Sequence, residues 1–200
     1  AVVLIPEKMQ VLAARYPQNT YLVVDDVSVA LLELQDFFYR ERHVPTANGI
    51  APMAVVASSA QIGADVHVGD YAFIGPGASI GDRTKILPHA YVGDGVAVGP
   101  DTVVYPHVVV YTNSRIGARC IVHAGAVVGA EGFRFEDDFQ NKRVRKLVHV
   151  GGVSIGDRVE IGANCTIDRA TFENQETLLE DDVKLDDQVH IGHNVRIGAR

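Results

Sequence analysis

The chain has 200 residues, of which 47% are apolar and 22% charged, a composition typical of a folded protein of one or two domains. A formal net charge of −7 argues against a nucleic-acid partner, because phosphate binding depends on a basic surface. No apolar run approaches the roughly 18 residues of a transmembrane segment, and two cysteines are too few for a disulfide scaffold.

The first 45 residues predict a small α/β unit. AVVLI and YLVV predict strands, and PEKMQVLAAR and SVALLELQDFFYRER predict helices, with Ser28 as the N-cap of the second helix. A stretch rich in turn formers, HVPTANGIAP, then links this unit to the rest of the chain. We therefore expect residues 1–45 to cap a second domain that covers residues 46–200.

A six-residue repeat dominates that second domain. Every sixth position is Val or Ile: Val56, Ile62, Val68, Ile74, Ile80, Ile86, Val92, Val98, Val104, Val110, Ile116, Val122 and Val128. Four residues after most of them comes a small or β-branched residue, and Gly often follows the aliphatic residue directly. The pattern predicts a narrow tube filled by branched side chains, with three extended faces to each coil and parallel pairing between coils. An amphipathic helix would need apolar residues three and four apart, and the β-branched bias opposes it.

The repeat is interrupted twice. Val128 and Ile155 are 27 residues apart, which is not a multiple of six, so residues of about 130–150 form an excursion that predicts a hairpin with a polar turn. The repeat resumes at Ile155, misses at Glu173 in the stretch TFENQET, and continues to Ile197. We expect Gly to supply positive φ angles at the corners, and Cys120 and Cys165 to fill small inward positions. Because the chain ends in mid-repeat, we also expect further coils beyond Arg200.

The segment DDQVHIGHNVRIG holds the best candidate for catalysis. His193 lies two residues beyond the inward Ile191 and should point outward beside Asn194, with His190 and Asp186 close by in sequence. An imidazole suits general-base chemistry near neutral pH, although a surface histidine is more often a bystander. We expect no metal site, because His190 and His193 are three apart and would point to opposite sides of a strand. His67, His89, His107 and His123 are expected to be solvated surface groups.

The stretch NKRVRK contains the one dense basic cluster of the sequence. Its four cationic residues are Lys142, Arg143, Arg145 and Lys146. The simpler interpretation is a solvated hairpin tip. The functional alternative is an electrostatic landing site for an acidic partner or a phosphate.

Four segments together resemble the UDP-3-O-acylglucosamine N-acyltransferases: IAPMAVV, GAVVGAEGFRF, IGDRVEIGANCTIDRA and, above all, LDDQVHIGHNVRIG. The resemblance covers about residues 49–200. It implies a left-handed parallel β-helix with a small α/β N-terminal cap, assembled as a homotrimer with active sites between neighbouring subunits. By the same resemblance residues 1–45 are the remnant of a nucleotide-side domain, although VVDDVSVALL stands where the family has Asn-Pro and aromatic residues for the uracil.

The resemblance also implies a reaction and the residues that carry it. A 3-hydroxyacyl chain would pass from acyl carrier protein to the amine of UDP-3-O-acylglucosamine in lipid A biosynthesis, in the cytoplasm, with the thioester as co-substrate and no cofactor. The family's catalytic histidine falls on His193, and the substrate-binding positions are these: Asp186, His190, Asn194, Gly132 and Phe133. The basic cluster would contact the carrier protein.

Three alternatives remain open at this point. The first is a related enzyme, either the UDP-sugar O-acyltransferase of the preceding step or a coenzyme A-dependent sugar N-acetyltransferase. The second is a metalloenzyme resembling carbonic anhydrase. The third is a structural solenoid or an inactive β-helix fragment.

Overall fold

The computed structural model describes residues 2–43 and 47–200, and the chain divides into two compact units, Ala1–Thr46 and Ala47–Arg200. The first unit contains strands β1 (Val2–Pro6) and β2 (Thr20–Val24), which pair in parallel. Between them lie a 3₁₀ turn (Glu7–Met9) and the short helix α1 (Val11–Arg15), and helix α2 (Val27–His43) follows β2. None of the helices in the described residues is long and apolar enough to cross a bilayer.

Helix α2 begins two residues earlier than the predicted cap requires. Asp26 Oδ1 accepts the backbone N–H groups of Ser28, at 2.7 Å, and of Val29, at 3.1 Å. Asp26 is therefore the N-cap, and the prediction of Ser28 was wrong because a carboxylate two residues earlier already accepts the free amides.

The second unit is built of short parallel strands. In chain order they are β3 (Gly49–Ile50), β4 (Val55–Val56), β5 (Gln61–Ile62), β6 (His67–Val68), β7 (Phe73–Ile74), β8 (Ser79–Ile80), β9 (Lys85–Ile86), β10 (Tyr91–Val92), β11 (Ala97–Val98), β12 (Val103–Val104), β13 (Val109–Val110), β14 (Ser114–Ile116), β15 (Ile121–Val122), β16 (Val127–Ala130), β17 (Phe135–Asp138), β18 (Arg143–Lys146), β19 (Gly152–Ile155), β20 (Glu160–Ile161), β21 (Thr166–Asp168), β22 (Glu176–Leu179), β23 (Lys184–Leu185), β24 (His190–Ile191) and β25 (Arg196–Ile197).

Every third strand belongs to the same sheet, apart from the excursion hairpin β17–β18. The first face runs from β3 to β23, the second from β4 to β24 and the third from β5 to β25, with seven strands in each. Pairing is parallel and joins residues one coil apart, such as Tyr91 with Val109. The parallel β-helix predicted from the repeat is confirmed, while its left-handed winding stays a prediction from the resemblance.

The repeat positions form the core as predicted. Ile74, Ile86, Val104 and Val128 are all 0% exposed. Both cysteines are also 0% exposed, and their thiols donate to backbone carbonyls, Cys120 to Gly156 at 3.1 Å and Cys165 to Asp186 at 3.0 Å. Glu173, the position that breaks the repeat, lies exposed in the loop between β21 and β22.

The glycines that follow the aliphatic residues have a different role from the one expected. A Cβ on Gly99 would lie 2.5 Å from the backbone carbon of Gly117, so the next coil passes too close for any side chain. Positive φ occurs three positions after the inward aliphatic residue instead, and there it is mostly carried by other residues, such as Asp65 at +57° and His89 at +62°. Crowding between coils, rather than backbone conformation, thus explains why the repeat uses Gly at this position.

Candidate active site

The candidate site lies where the second face ends and the excursion returns to the coils. His193 follows strand β24 in a turn and is half-buried, and Asn194 beside it has a φ of +62°. The chain leaves the strand at Ile191, so His190 and His193 do not lie on opposite sides of a strand as expected. His190 stays on β24 with its Nε2 3.6 Å from Asp168 Oδ2, and His193 also acts electrostatically on that carboxylate.

Asn194 fixes the orientation of the His193 ring. The backbone N–H of Thr171 donates to the Asn194 side chain at 3.0 Å, and because a backbone N–H can only donate, the accepting atom is Oδ1. The amide nitrogen of Asn194 then donates to Gln175 Oε1 at 2.7 Å. Asn194 Oδ1 also lies 3.0 Å from His193 Nδ1.

The tautomer of His193 follows from this arrangement. Asn194 Oδ1 can only accept, and the Thr171 hydroxyl, 3.3 Å from His193 Nδ1, donates its own hydrogen to Asn194 Oδ1 at 2.8 Å. We therefore assign the hydrogen of the neutral His193 ring to Nδ1. In the neutral ring Nε2 then has the free lone pair. The arrangement gives the His193 imidazole a defined orientation, held by residues from the loop between β21 and β22.

Asp168 and His149 complete the cluster, and sequence analysis missed both. Asp168 is 5% exposed, and burial raises the pKa of its carboxyl group while His190, His193 and His149 act in the opposite direction. His149 is 2% exposed, and its ring centroid lies 4.7 Å from that of His193. Burial lowers the pKa of His149, and the charge of His193 lowers it further. From the repeat alone Asp168 should be exposed, but the returning excursion covers it. No sequence pattern marks which positions an excursion covers.

The other predicted substrate-binding residues lie in different surroundings. Gly132 is buried against the ring of His149, whereas Phe133 is 86% exposed with its ring 4.9 Å from that of Phe135. His190 Nδ1 lies 2.7 Å from the hydroxyl of Thr166. Asp186 is exposed in the turn between β23 and β24, and one of its carboxylate oxygens accepts the N–H of Asp187 at 2.8 Å. No contact joins Asp186 to His193 within the described part of the chain, so the role of Asp186 at this site stays a prediction.

A groove of about 520 Å³ opens beside this cluster. Its walls come from the second face and the excursion: Tyr111, Val127, Gly129, Ala130, Glu131, Val148, His149, Val150 and Arg169. Arg169 donates from Nε to the carbonyl of Gly129 at 2.8 Å, and its guanidinium lies 5.8 Å from the centre of the Tyr111 ring. Glu131 pairs with Lys146 at 2.8 Å, which lowers the pKa of the Glu131 carboxyl group. The groove is thus largely apolar, with a fixed cation at its wall.

The basic cluster lies on the excursion hairpin, where β17 and β18 pair antiparallel. All four cationic side chains are exposed. Two of them are already paired within the chain, Arg143 with Asp138 at 3.3 Å and Lys146 with Glu131 at 2.8 Å. Lys142 and Arg145 remain as the stronger candidates for contact with an acidic partner.

The remaining histidines lie along the earlier coils. His89 and His107 are exposed, and their rings stack at 5.0 Å. His67 Nδ1 lies 2.9 Å from the carbonyl of Ala47, and His123 Nε2 lies 3.0 Å from Glu160 Oε1, so both are more engaged than expected. Within residues 2–43 and 47–200, no three His, Cys, Asp or Glu side chains converge as ligands for a metal ion.

Comparison with known proteins agrees with the repeat and the fold. Residues 77–112 match the family described as bacterial transferase hexapeptide (six repeats), and residues 148–169 match the hexapeptide repeat of succinyl-transferase. Among solved structures, the UDP-N-acetylglucosamine acyltransferase of Francisella novicida superposes with a TM-score of 0.50 at 26% identity, covering 76% of this chain and 46% of that one. Repeat and fold together define a hexapeptide-repeat β-helix, and in both respects the chain is similar to the hexapeptide-repeat acyltransferases.

Proteins related in sequence indicate which acyltransferases the chain resembles. A UDP-3-O-acylglucosamine N-acyltransferase from Coxiella burnetii (strain Dugway 5J108-111) is 42% identical over 98% of this chain, and one from Burkholderia multivorans is 53% identical over 38% of it. The resemblance to the UDP-3-O-acylglucosamine N-acyltransferases is therefore confirmed. The chain spans 55% of the length of the Coxiella protein and the Burkholderia alignment covers 22% of its protein.

Proposed function

We propose that the chain is the β-helix part of an N-acyltransferase that moves a 3-hydroxyacyl chain from acyl carrier protein to the amine of UDP-3-O-acylglucosamine. The observation that carries the proposal is the contact of His193 Nδ1 with Asn194 Oδ1 at 3.0 Å, from which we infer that Nδ1 carries the hydrogen and Nε2 is the base. The Coxiella relative, aligned along 98% of the chain, supports the choice of substrate. The cytoplasm, where acyl carrier protein and UDP-sugars are found, is the proposed location.

The reaction needs one proton acceptor and no enzyme-bound intermediate. The amine nitrogen attacks the thioester carbonyl, the C–N bond forms, and His193 Nε2 takes the proton that the nitrogen loses. The C–S bond then breaks, and the departing thiolate receives that proton from the imidazolium. Both cysteines are sealed in the core, and burial raises the pKa of Cys120, so neither offers a nucleophile. Direct transfer without a cofactor is the proposal that fits these groups.

The proposed partners follow from the surfaces around the site. Outward side chains on the second face are apolar or aromatic from Val55 through Tyr91, and the same column continues to His190. We assign this face to the seam of a homotrimer, which would bring a neighbouring subunit to the groove. Lys142 and Arg145 on the hairpin would meet the acidic carrier protein.

His193→Ala in the complete protein tests the function. With acyl carrier protein thioester and UDP-3-O-acylglucosamine, loss of a general base should lower kcat by roughly 10²–10⁴-fold. His107→Ala is the matched control, because it removes an exposed imidazole from an earlier coil and should keep the wild-type rate. Near wild-type turnover by His193→Ala would contradict the assignment.

The product and the donor separate the alternatives in the same assay. Mass spectrometry should show an amide, whereas an ester would identify the O-acyltransferase of the preceding step. A donor preference for coenzyme A thioesters would identify a sugar N-acetyltransferase. Intact trimers with no turnover on any of these substrates would favour a structural solenoid.

A further inference from the structure

His149 has an unusual environment for a buried polar side chain. In the described chain, neither its two ring nitrogens nor the hydroxyl of Ser114 forms a hydrogen bond of ordinary geometry. The backbone of Leu147 nevertheless acts on the ring as an acceptor and raises its pKa against the effect of burial. The ring of His149 is therefore engaged chiefly by packing against its neighbours.

The ring of His149 is held between the start of the excursion and the candidate base. On one side, a Cβ on Gly132 would lie 2.9 Å from His149 Nε2 and 3.1 Å from its Cδ2, so only Gly leaves room for the ring. On another side, the His193 ring lies at 4.7 Å with an angle of 50° between the planes. The backbone N–H of His149 also donates to Glu131 Oε1 at 3.4 Å. The excursion thus contacts the His193 ring through His149.

Burial favours the neutral form of His149. The ring is 2% exposed, and burial lowers its pKa. His193 is half-buried, and its Nδ1 lies 3.0 Å from Asn194 Oδ1. His149 thus places a neutral ring beside the candidate base.

We propose that His149 is a positioning residue that holds the His193 ring in the orientation in which Nδ1 donates to Asn194. The contact with Asn194 holds the Nδ1 edge of the His193 ring, and the packed ring of His149 limits rotation of the rest of it. The role is one of ring packing, because the two rings lie 4.7 Å apart and no hydrogen bond joins His149 to His193 in the described chain. This inference rests on the proposed role of His193 as the base, but it concerns the ring's placement and can be measured without turnover.

The tautomer of His193 is the direct readout, and nitrogen-15 NMR of histidine-labelled chain reports it. The wild-type ring should show the signature of a protonated Nδ1 and a bare Nε2. In His149→Ala the freed ring should mix tautomers, so the two nitrogen shifts should move toward each other. His149→Phe keeps a ring of similar shape without nitrogens and should restore the wild-type signature.

Two further variants show whether a change in the His193 signals is specific to the ring of His149. Gly132→Ala pushes a methyl group against the ring of His149 and should reproduce the effect of His149→Ala, even if that variant fails to fold. His107→Ala, which removes a stacked imidazole in an earlier coil, should leave the His193 signals unchanged. Unchanged His193 shifts in the folded His149→Ala or Gly132→Ala chain, or a His149→Phe chain that behaves like His149→Ala, would overturn the proposal.

Activity of the complete protein provides a second, separate readout. Misplacing the base should lower kcat of His149→Ala by about 10–100-fold, with KM within about 2-fold of wild type and recovery in His149→Phe. Full activity of His149→Ala would also contradict the proposal. If His193→Ala is fully active but the NMR result holds, the function proposed above fails while the placement of the ring by His149 stands.

Discussion

At the scale of single residues, the site depends on side chains that come from three places in the sequence. Asn194 is next to His193, the candidate base. Thr171 and Gln175 come from the loop between β21 and β22, and His149 comes from the excursion. Together these residues restrict the orientation of the His193 imidazole, Gln175 through its hydrogen bond with Asn194. The loop that breaks the six-residue repeat is therefore the element that orients the Asn194 amide.

The buried His149 predicts a pH dependence of stability. Its pKa is lowered in the fold, so the unfolded chain binds the proton more readily and acid favours unfolding. The wild type should lose stability as the pH falls from about 6.5 through the lowered folded-state pKa. Asp168, whose pKa is raised, acts with the opposite sign and in a more acidic range.

Urea unfolding of wild type and His149→Phe between pH 7.5 and pH 5.5 measures this effect. The wild type should become less stable relative to His149→Phe toward the acidic end, because Phe cannot take up a proton. A constant difference between the two chains across that range would show that His149 is not held neutral by the fold.

At the scale of structural elements, the two-residue strands depend on one inward side chain each. Ile80 on β8 is 2% exposed, and Ser79 beside it points outward and is exposed. Ile80→Asp should abolish folding, because a carboxylate in this narrow core has no cation and no water to pair with. Ser79→Asp places the same charge on the same strand, and it should fold normally.

Soluble yield, circular dichroism and gel filtration compare these two variants. A folded Ile80→Asp chain of wild-type size would show that the inward register is wrong. Equal damage from Ser79→Asp would show that any charge on β8 is disruptive, whichever way it points.

The repeat allowed the core to be predicted, but only part of the candidate site. Inward positions such as Ile86 and Val104 follow from spacing alone, because a strand of fixed length must fill a tube of fixed width. His193 and Asn194 could be found because they lie in an outward turn of a regular coil. Asp168 and His149 could not, because their burial depends on where the excursion of about 130–150 folds back. The expectation that the repeat glycines supply positive φ was wrong for a related reason. The crowding that requires Gly comes from the next coil, which the sequence of a single coil does not show.

At the scale of the β-helix unit, the three faces differ in what they present outward. On two successive coils the second face presents Phe73 and Tyr91, whose rings stack at 5.0 Å, while the third face presents Ser79 and Ala97. Tyr91 is 38% exposed and Val55, one coil earlier than Phe73, is 57% exposed. A continuous apolar column of this kind is typical of a surface that another subunit covers.

Substitution of matched pairs on these two coils tests the proposed trimer. Phe73→Lys with Tyr91→Lys should dissociate the trimer into monomers, because two ammonium groups would have to be buried in an apolar seam without partners. Ser79→Lys with Ala97→Lys adds the same charges to the same coils on the third face, and should leave the trimer intact. Light scattering after gel filtration gives the mass of each species directly. If the second-face pair remains trimeric, or if the third-face pair dissociates instead, the seam lies elsewhere. The groove beside His149 would then have to be completed by a different face of the neighbouring subunit.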